Sequence, residues 1–88
     1  MKPKKVGFAG MILDQWKYFD CVAEFGIGKK WACLYFIFST KSNKGNAQKL
    51  LKYCKKYYNK KGKVVNGSVP LNQKMKHIYE KLGYNFEG

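Results

Sequence analysis

Arginine is absent from this chain. All eighteen of its cationic side chains are lysine, against five carboxylates, for a formal charge of +13 over 88 residues. Such a surface repels free cationic amines and attracts polyanions, whether nucleic acid, acidic protein or a phosphorylated cofactor. Lysine is a point charge that lacks the two-pronged grip of a guanidinium on phosphate or guanine. Any nucleic acid held here would be bound with weak sequence preference. A compositional bias toward lysine, asparagine and tyrosine accounts for the same excess with no partner. Cysteine is scarce and odd in number: Cys21, Cys33 and Cys54 form no C-x-x-C pair. That spacing excludes a disulfide framework or a structural zinc site and leads us to expect buried free thiols in a reducing cytoplasm. Long apolar runs are also missing, so no membrane-spanning segment is expected. The N-terminal "MKPKKVGFAGMIL" imitates a signal peptide, but its apolar run is short, ends at Asp14 and lacks an A-x-A site, so it reads as a strand.

What remains is globular. The chain is 45% hydrophobic and 17% aromatic with only two prolines, too rich in apolar material for a disordered tail. Its length allows a single domain, spanning residues 1–88, with a modest core. "KVGFAGMIL" (5–13) reads as a buried strand, "DQ" as a turn, and "WKYFDCVAEF" (16–25), which alternates imperfectly, as a second strand paired to the first. "WACLYFIFS" (31–39) is almost continuously apolar, the pattern of a strand covered on both faces. The period then changes. Ala47, Leu50, Leu51, Cys54 and Tyr58 fall on one helical stripe, with Ser42 or Asn43 available as a cap and Gly62 as a stop. "KVVNGSV" (63–69) predicts a short strand. Asn72 can cap a second helix with Met75, Ile78, Tyr79 and Leu82 on its inner side, Gly83 ends it, and "YNFEG" is a short strand or tail. The expected fold is therefore α/β in the mixed α+β sense. A mostly antiparallel sheet carries two helices, and the third strand, first helix and fourth strand form a right-handed βαβ unit.

The connection from residue 39 into the first helix is the most informative segment. A helix start presents unpaired N–H groups and about half a positive charge. Gly45 lets a ligand approach the backbone, Ala47 is small, and Lys41 and Lys44 add charge. Ser42, Asn43, Lys44, Gly45, Asn46 and Ala47 could cradle a pyrophosphate, although one glycine before a helix is more often only a turn. "LYFIFSTKSNKGNAQKLLKYC" and "VNGSVPLNQKMKHIYEKLGY", taken together, resemble the GNAT family of acetyl-CoA-dependent N-acetyltransferases. The family's Gln/Arg-x-x-Gly-x-Gly/Ala turn corresponds to residues 42–47, with Gly45 and Ala47 in place and Ser42 where Gln or Arg is usual. Its asparagine and its "YEKLGF"-like phrase correspond to Asn72 and to "YEKLGY" (79–84). The resemblance is strongest over residues 34–84. The family's first strand and two following helices have no counterpart, and its C-terminal strands are cut to a stub.

The resemblance implies a GNAT-like cofactor-binding core. The pantetheine arm of acetyl-CoA would lie on the strand around Phe36, Ile37 and Phe38, with its pyrophosphate on the amides of 43–47. Tyr79 would act as the general acid for the departing thiolate, and Asn72 would position the cofactor and the second helix. Packing is the competing role for Tyr79, which lies on the apolar stripe. Glu24 is the first candidate for a base. It alternates onto one face of the predicted second strand with Asp20 and Tyr18, although two acids on an exposed strand face are more often solvated surface. His77 receives no role.

Lys49, Lys52, Lys56 and Lys60 share the outer face of the first helix, beside Tyr53 and Tyr57. Like charges four residues apart cost only about 0.2–0.5 kcal/mol per pair, so a merely solvated face is tolerable. The same face could lie on nucleic acid, lysines to phosphates and tyrosines to bases, or dock an acidic protein. The resemblance thus implies N-acetyl transfer to an amine, and the charge favours a macromolecular acceptor such as a protein lysine. The alternatives are a non-catalytic basic module and a family member that binds CoA without transferring. An incomplete sheet edge further leads us to expect two chains to pair as a homodimer.

Overall fold

A computed structural model describes residues 1–40, 45–70 and 72–86. The sheet order is β1 (Lys4–Phe8), β2 (Met11–Tyr18), β3 (Cys21–Ile27), β4 (Trp31–Ser39) and β5 (Val64–Asn66). The first four strands form an antiparallel meander, and β5 joins β4 in parallel. Helix α1 (Asn46–Lys60) connects β4 to β5, and α2 (Gln73–Leu82) follows. The fold is thus α+β, with a mixed, mostly antiparallel sheet and two helices.

Four strands, not three, precede α1. The predicted strand 5–13 is a hairpin whose turn, Ala9–Gly10, has both residues at positive φ (49° and 79°), the handedness that matches a twisted two-strand ribbon. The predicted strand 16–25 is also two strands, reversed at Phe19–Asp20 with Phe19 at φ 54°. The expected turn at Asp14–Gln15 is mid-strand instead. Downstream the elements are those expected, although the predicted strand 63–69 shrinks to Val64–Asn66. Residues 31–39 are one strand, and α1 ends before a left-handed Gly62. Asn72 caps α2 through Met75 N–H to Asn72 Oδ1 (2.9 Å), and Gly83 closes it at φ 77°. The stub at the C-terminus reaches the sheet as a single parallel bridge from Asn85 to Asn66.

One face of the sheet holds the core. Trp16, Cys21, Ala23, Phe25, Ala32, Leu34 and Val65 pack against Leu50, Leu51, Cys54 and Tyr58 of α1 and against Ile78 and Tyr79 of α2. A buried polar chain crosses it. Trp16 Nε1 donates to Tyr58 Oη (2.9 Å), Tyr58 Oη donates to Asp14 Oδ2 (2.8 Å), and Lys5 pairs with the other Asp14 oxygen. Burial also pushes the Tyr58 and Tyr84 hydroxyls and the Cys54 thiol well above their ordinary pKa values.

The opposite face has no helix on it among the described residues, so β4 is covered on one side rather than two. A bulge helps set what it shows. Between Leu34↔Phe25 and Phe36↔Glu24 the register slips by one residue, leaving Tyr35 extra on β4. Tyr35 lies over Gly26, where a Cβ would come within 2.5 Å of its ring. The slip turns Ile37 toward the helices and sends Phe36 and Phe38 to the open face. There their rings stack with centroids 6.4 Å apart.

Candidate active site

Strand β4 has nine residues, but β5 pairs with only its first three, Trp31 to Cys33. Beyond Cys33 the chain after β5 leaves the sheet. The notch this opens is a cavity of ≈ 130 Å³ between Leu34–Ile37 on one side and Ser68–Val69 on the other, floored by Met75 and Tyr79. Tyr79 is 1% exposed, and its ring is stacked on Tyr84. Its hydroxyl lies 3.5 Å from Ser68 Oγ at the notch. A Cβ at Gly67 would come within 2.6 Å of the Tyr79 ring, so the backbone there must be bare for the tyrosine to take this position.

Ile37 and Met75 also line a second, larger cavity of ≈ 460 Å³ that runs to the start of α1, past Ser39, Gly45, Ala47 and Asn72. Gly45 is the N-cap of α1, in a left-handed conformation (φ 68°) and without a side-chain cap bond. Gly45 itself thus offers the first helical amides no side-chain acceptor. The combined volume is in the range of small-molecule clefts.

Of the residues singled out from sequence, Phe36, Ile37 and Tyr79 meet at the notch, and Ile37, Gly45, Ala47 and Asn72 meet at the larger cavity. Asn46 is turned elsewhere: its Nδ2 donates to Asp20 Oδ1 (3.1 Å). Ser42, Asn43 and Lys44, with Lys41, lie outside the described residues, and the N-cap position falls to Gly45 rather than to Ser42 or Asn43. Two assignments fail. Phe38, like Phe36, faces the open side of the sheet, half exposed, because of the bulge; Phe36 still borders the notch, whereas Phe38 lines neither cavity. Glu24 is on that same open face, where Gln15 Nε2 donates to it (2.7 Å), and the sheet separates it from Tyr79. Nor do Asp20 and Tyr18 share its face. Asp20 is in the β2–β3 turn, and Tyr18 packs toward the helices.

Asp20 is the residue that sequence reasoning misplaced most. Its carboxylate accepts from Ser39 Oγ (2.9 Å), Thr40 Oγ1 (3.3 Å) and Asn46 Nδ2 (3.1 Å), so it ties the end of β4 to the start of α1. The available signal was an aspartate at a turn, hidden because the turn itself was unseen.

A separate groove of ≈ 480 Å³ runs between the helices, lined by Lys49, Lys52, Lys55 and Lys56 of α1 and Lys81 of α2, with Gln48 and Asn59. Lys60 is not part of it. Tyr53 and Tyr57 are not beside it either: both pack edge-on against Trp16, at 5.8 and 4.9 Å between centroids.

No helix among the described residues is long and apolar enough to cross a membrane. Comparison with protein-family models, curated proteins and solved structures returned no match.

Proposed function

We propose that the notch on β4 and the cavity at the start of α1 form one acyl-CoA site, and that the chain is a minimal GNAT-like N-acetyltransferase. The observation that supports this most is the position of Tyr79, whose hydroxyl reaches a notch beside β4 that shares Ile37 and Met75 with the cavity at the Gly45-capped start of α1. In this reading the first amides of α1 receive the phosphates. Leu34, Ile37 and Met75 shield the thioester end from water, and backbone groups of β4 left unpaired by β5 hold the arm. Acetyl-CoA held there would supply an acetyl thioester to the acceptor amine. Tyr79 Oη would give its proton to the departing sulfur as the C–N bond forms and the C–S bond breaks; the amine would lose a proton to solvent water, and Tyr79 would regain one from it. Glu24 takes no part. The acceptor is a protein lysine or another amine on a macromolecule, since the charge of +13 disfavours small cationic amines. Three free thiols, two of them buried, suit a reducing cytoplasm.

The test joins binding to turnover. Acetyl-CoA at a hundred times its dissociation constant should add about 2.7 kcal/mol to unfolding. Tyr79→Phe should keep that shift while acetyl transfer falls sharply. An unchanged transfer rate would remove the acid role, and no stabilisation by acetyl-CoA would remove the site.

The lysine groove favours a second reading, a basic module for nucleic acid. With Tyr53 and Tyr57 outside the groove and packed on Trp16, it would contact phosphates alone and lose affinity steeply as salt rises. Lys52→Ala and Lys56→Ala should weaken that binding and leave acetyl-CoA stabilisation intact.

A further inference from the structure

The uncovered face of the sheet is the largest feature that this reading leaves unused. Register and alternation place Phe8, Met11, Trp31, Tyr35, Phe36, Phe38 and Val64 on it, around the buried Leu13. We propose that a second copy of the chain covers this face, the two sheets packing against each other as the halves of a sandwich.

Size is the first argument. Five aromatics, Phe8, Trp31, Tyr35, Phe36 and Phe38, are 41–65% exposed. At ~150–250 Å² for a whole aromatic side chain, they present roughly 500 Å² of apolar surface. Scattered exposed hydrophobics are ordinary, but a contiguous patch of this size is at the upper end for a monomer. With Met11, Val64 and a polar rim, it approaches the ~800 Å² per partner of a stable interface.

Charge selects the occupant. The only charged side chains that alternation puts on this face of β1 to β4 are Lys4, Lys17 and Glu24. Five lysines of α1 and three of α2 are on the helical layer behind the sheet. An acidic partner would be drawn to that layer and not to this face. Two copies joined sheet to sheet would instead hold their helical lysines on opposite outer surfaces. Both sheets and the ~10 Å gap between them would intervene, beyond the ~8 Å screening length at physiological salt. Edge pairing is the less favourable route. The free edge strand, β1, begins Lys4–Lys5, and charged edges oppose strand addition.

Sedimentation equilibrium of the whole chain at rising concentration and salt tests this. The expected result is a dimer whose dissociation constant falls as salt screens the repulsion between the chains. Phe36→Glu and Phe38→Glu should each weaken it roughly thirtyfold or more, as loss of a central anchor does. Both side chains are exposed, so an unchanged circular dichroism spectrum should accompany the loss. Lys52→Ala and Lys56→Ala should leave the dimer intact. Three results would overturn the proposal: a monomer throughout the micromolar range, which would mean that another protein or a further segment covers the face; a dimer that dissolves as salt rises; or one indifferent to both glutamate substitutions. None depends on acetyl-CoA, so failure here and failure of the transferase reading are separable.

Discussion

Removing one oxygen from the core, by Tyr58→Phe, should cost this domain a large share of its stability. The Tyr58 hydroxyl accepts from the wholly buried Trp16 Nε1 and donates to Asp14, which is 4% exposed. Phenylalanine fills the same space but leaves a buried N–H and a buried carboxylate oxygen each without that partner. A stranded buried group costs about 1–3 kcal/mol, so the sum is ~2–4 kcal/mol after allowing for Lys5, which still pairs with Asp14. A domain of this length holds only ~4–13 kcal/mol in total. At ~4–8 °C for each kcal/mol, the melting temperature should fall on the order of 10–25 °C. Guanidinium unfolding followed by circular dichroism gives the free energy directly. Tyr53→Phe is the control, because its hydroxyl donates only to the exposed Met1 carbonyl (3.2 Å) and should cost less than about 0.5 kcal/mol. Adding Asp14→Asn to Tyr58→Phe should cost less than the two changes separately, as expected of a shared network. If Tyr58→Phe behaved like the Tyr53 control, the chain from Trp16 to Lys5 would carry no energy and the account of the core would be wrong.

Asn72→Ala removes the cap bond to Met75 N–H and should cost about 1 kcal/mol, measured by the same unfolding curves; no loss would mean that α2 does not depend on that cap. Stability should also fall in alkali. The unfolded chain releases thiol protons near pH 9 and tyrosine protons near pH 10, whereas burial holds the Cys54, Tyr58 and Tyr84 protons on in the fold. These groups have raised folded-state pKa values, so their contribution is complete below pH 9 and declines above it. Tyr84→Phe should flatten the decline in a pH series of denaturant midpoints, and an unaltered slope would count against burial as its cause.

The second half of the fold was legible in the sequence because its signals are long or chemically specific. The stripe from Ala47 to Tyr58 has a single helical period, and Asn72 and Gly83 bracket α2 with a cap and a stop. The first 27 residues misled because their turns use the wrong residues. Alanine precedes glycine at the first, and a bulky Phe19, 82% exposed, takes positive φ at the second. The imperfect alternation of 16–25 was the turn itself: Trp16 and Tyr18 face the core, and the next inward residue is Cys21. Candidate residues shared that fate. Tyr79, Gly45 and Ala47 rest on well-read elements, Tyr79 at the notch and the other two at the larger cavity. Glu24 and Phe38 depended on a strand register that a hidden turn and a bulge had changed.

The way β5 is attached also has a kinetic consequence. The four-strand meander needs only short-range pairing, whereas β5 must close a loop through the whole of α1, and long-range contacts are the slower to form. Three residues of parallel ladder and one bridge at Asn85 then hold it. In amide hydrogen exchange, the backbone of 64–66 should open more readily than the pairing of β2 with β3. One wall of the notch follows directly from that segment, so the notch should open and close with it. A molecule that spans the notch would be reported first as slowed exchange at Val65 and Asn66, far from the helix start where its charge would be held.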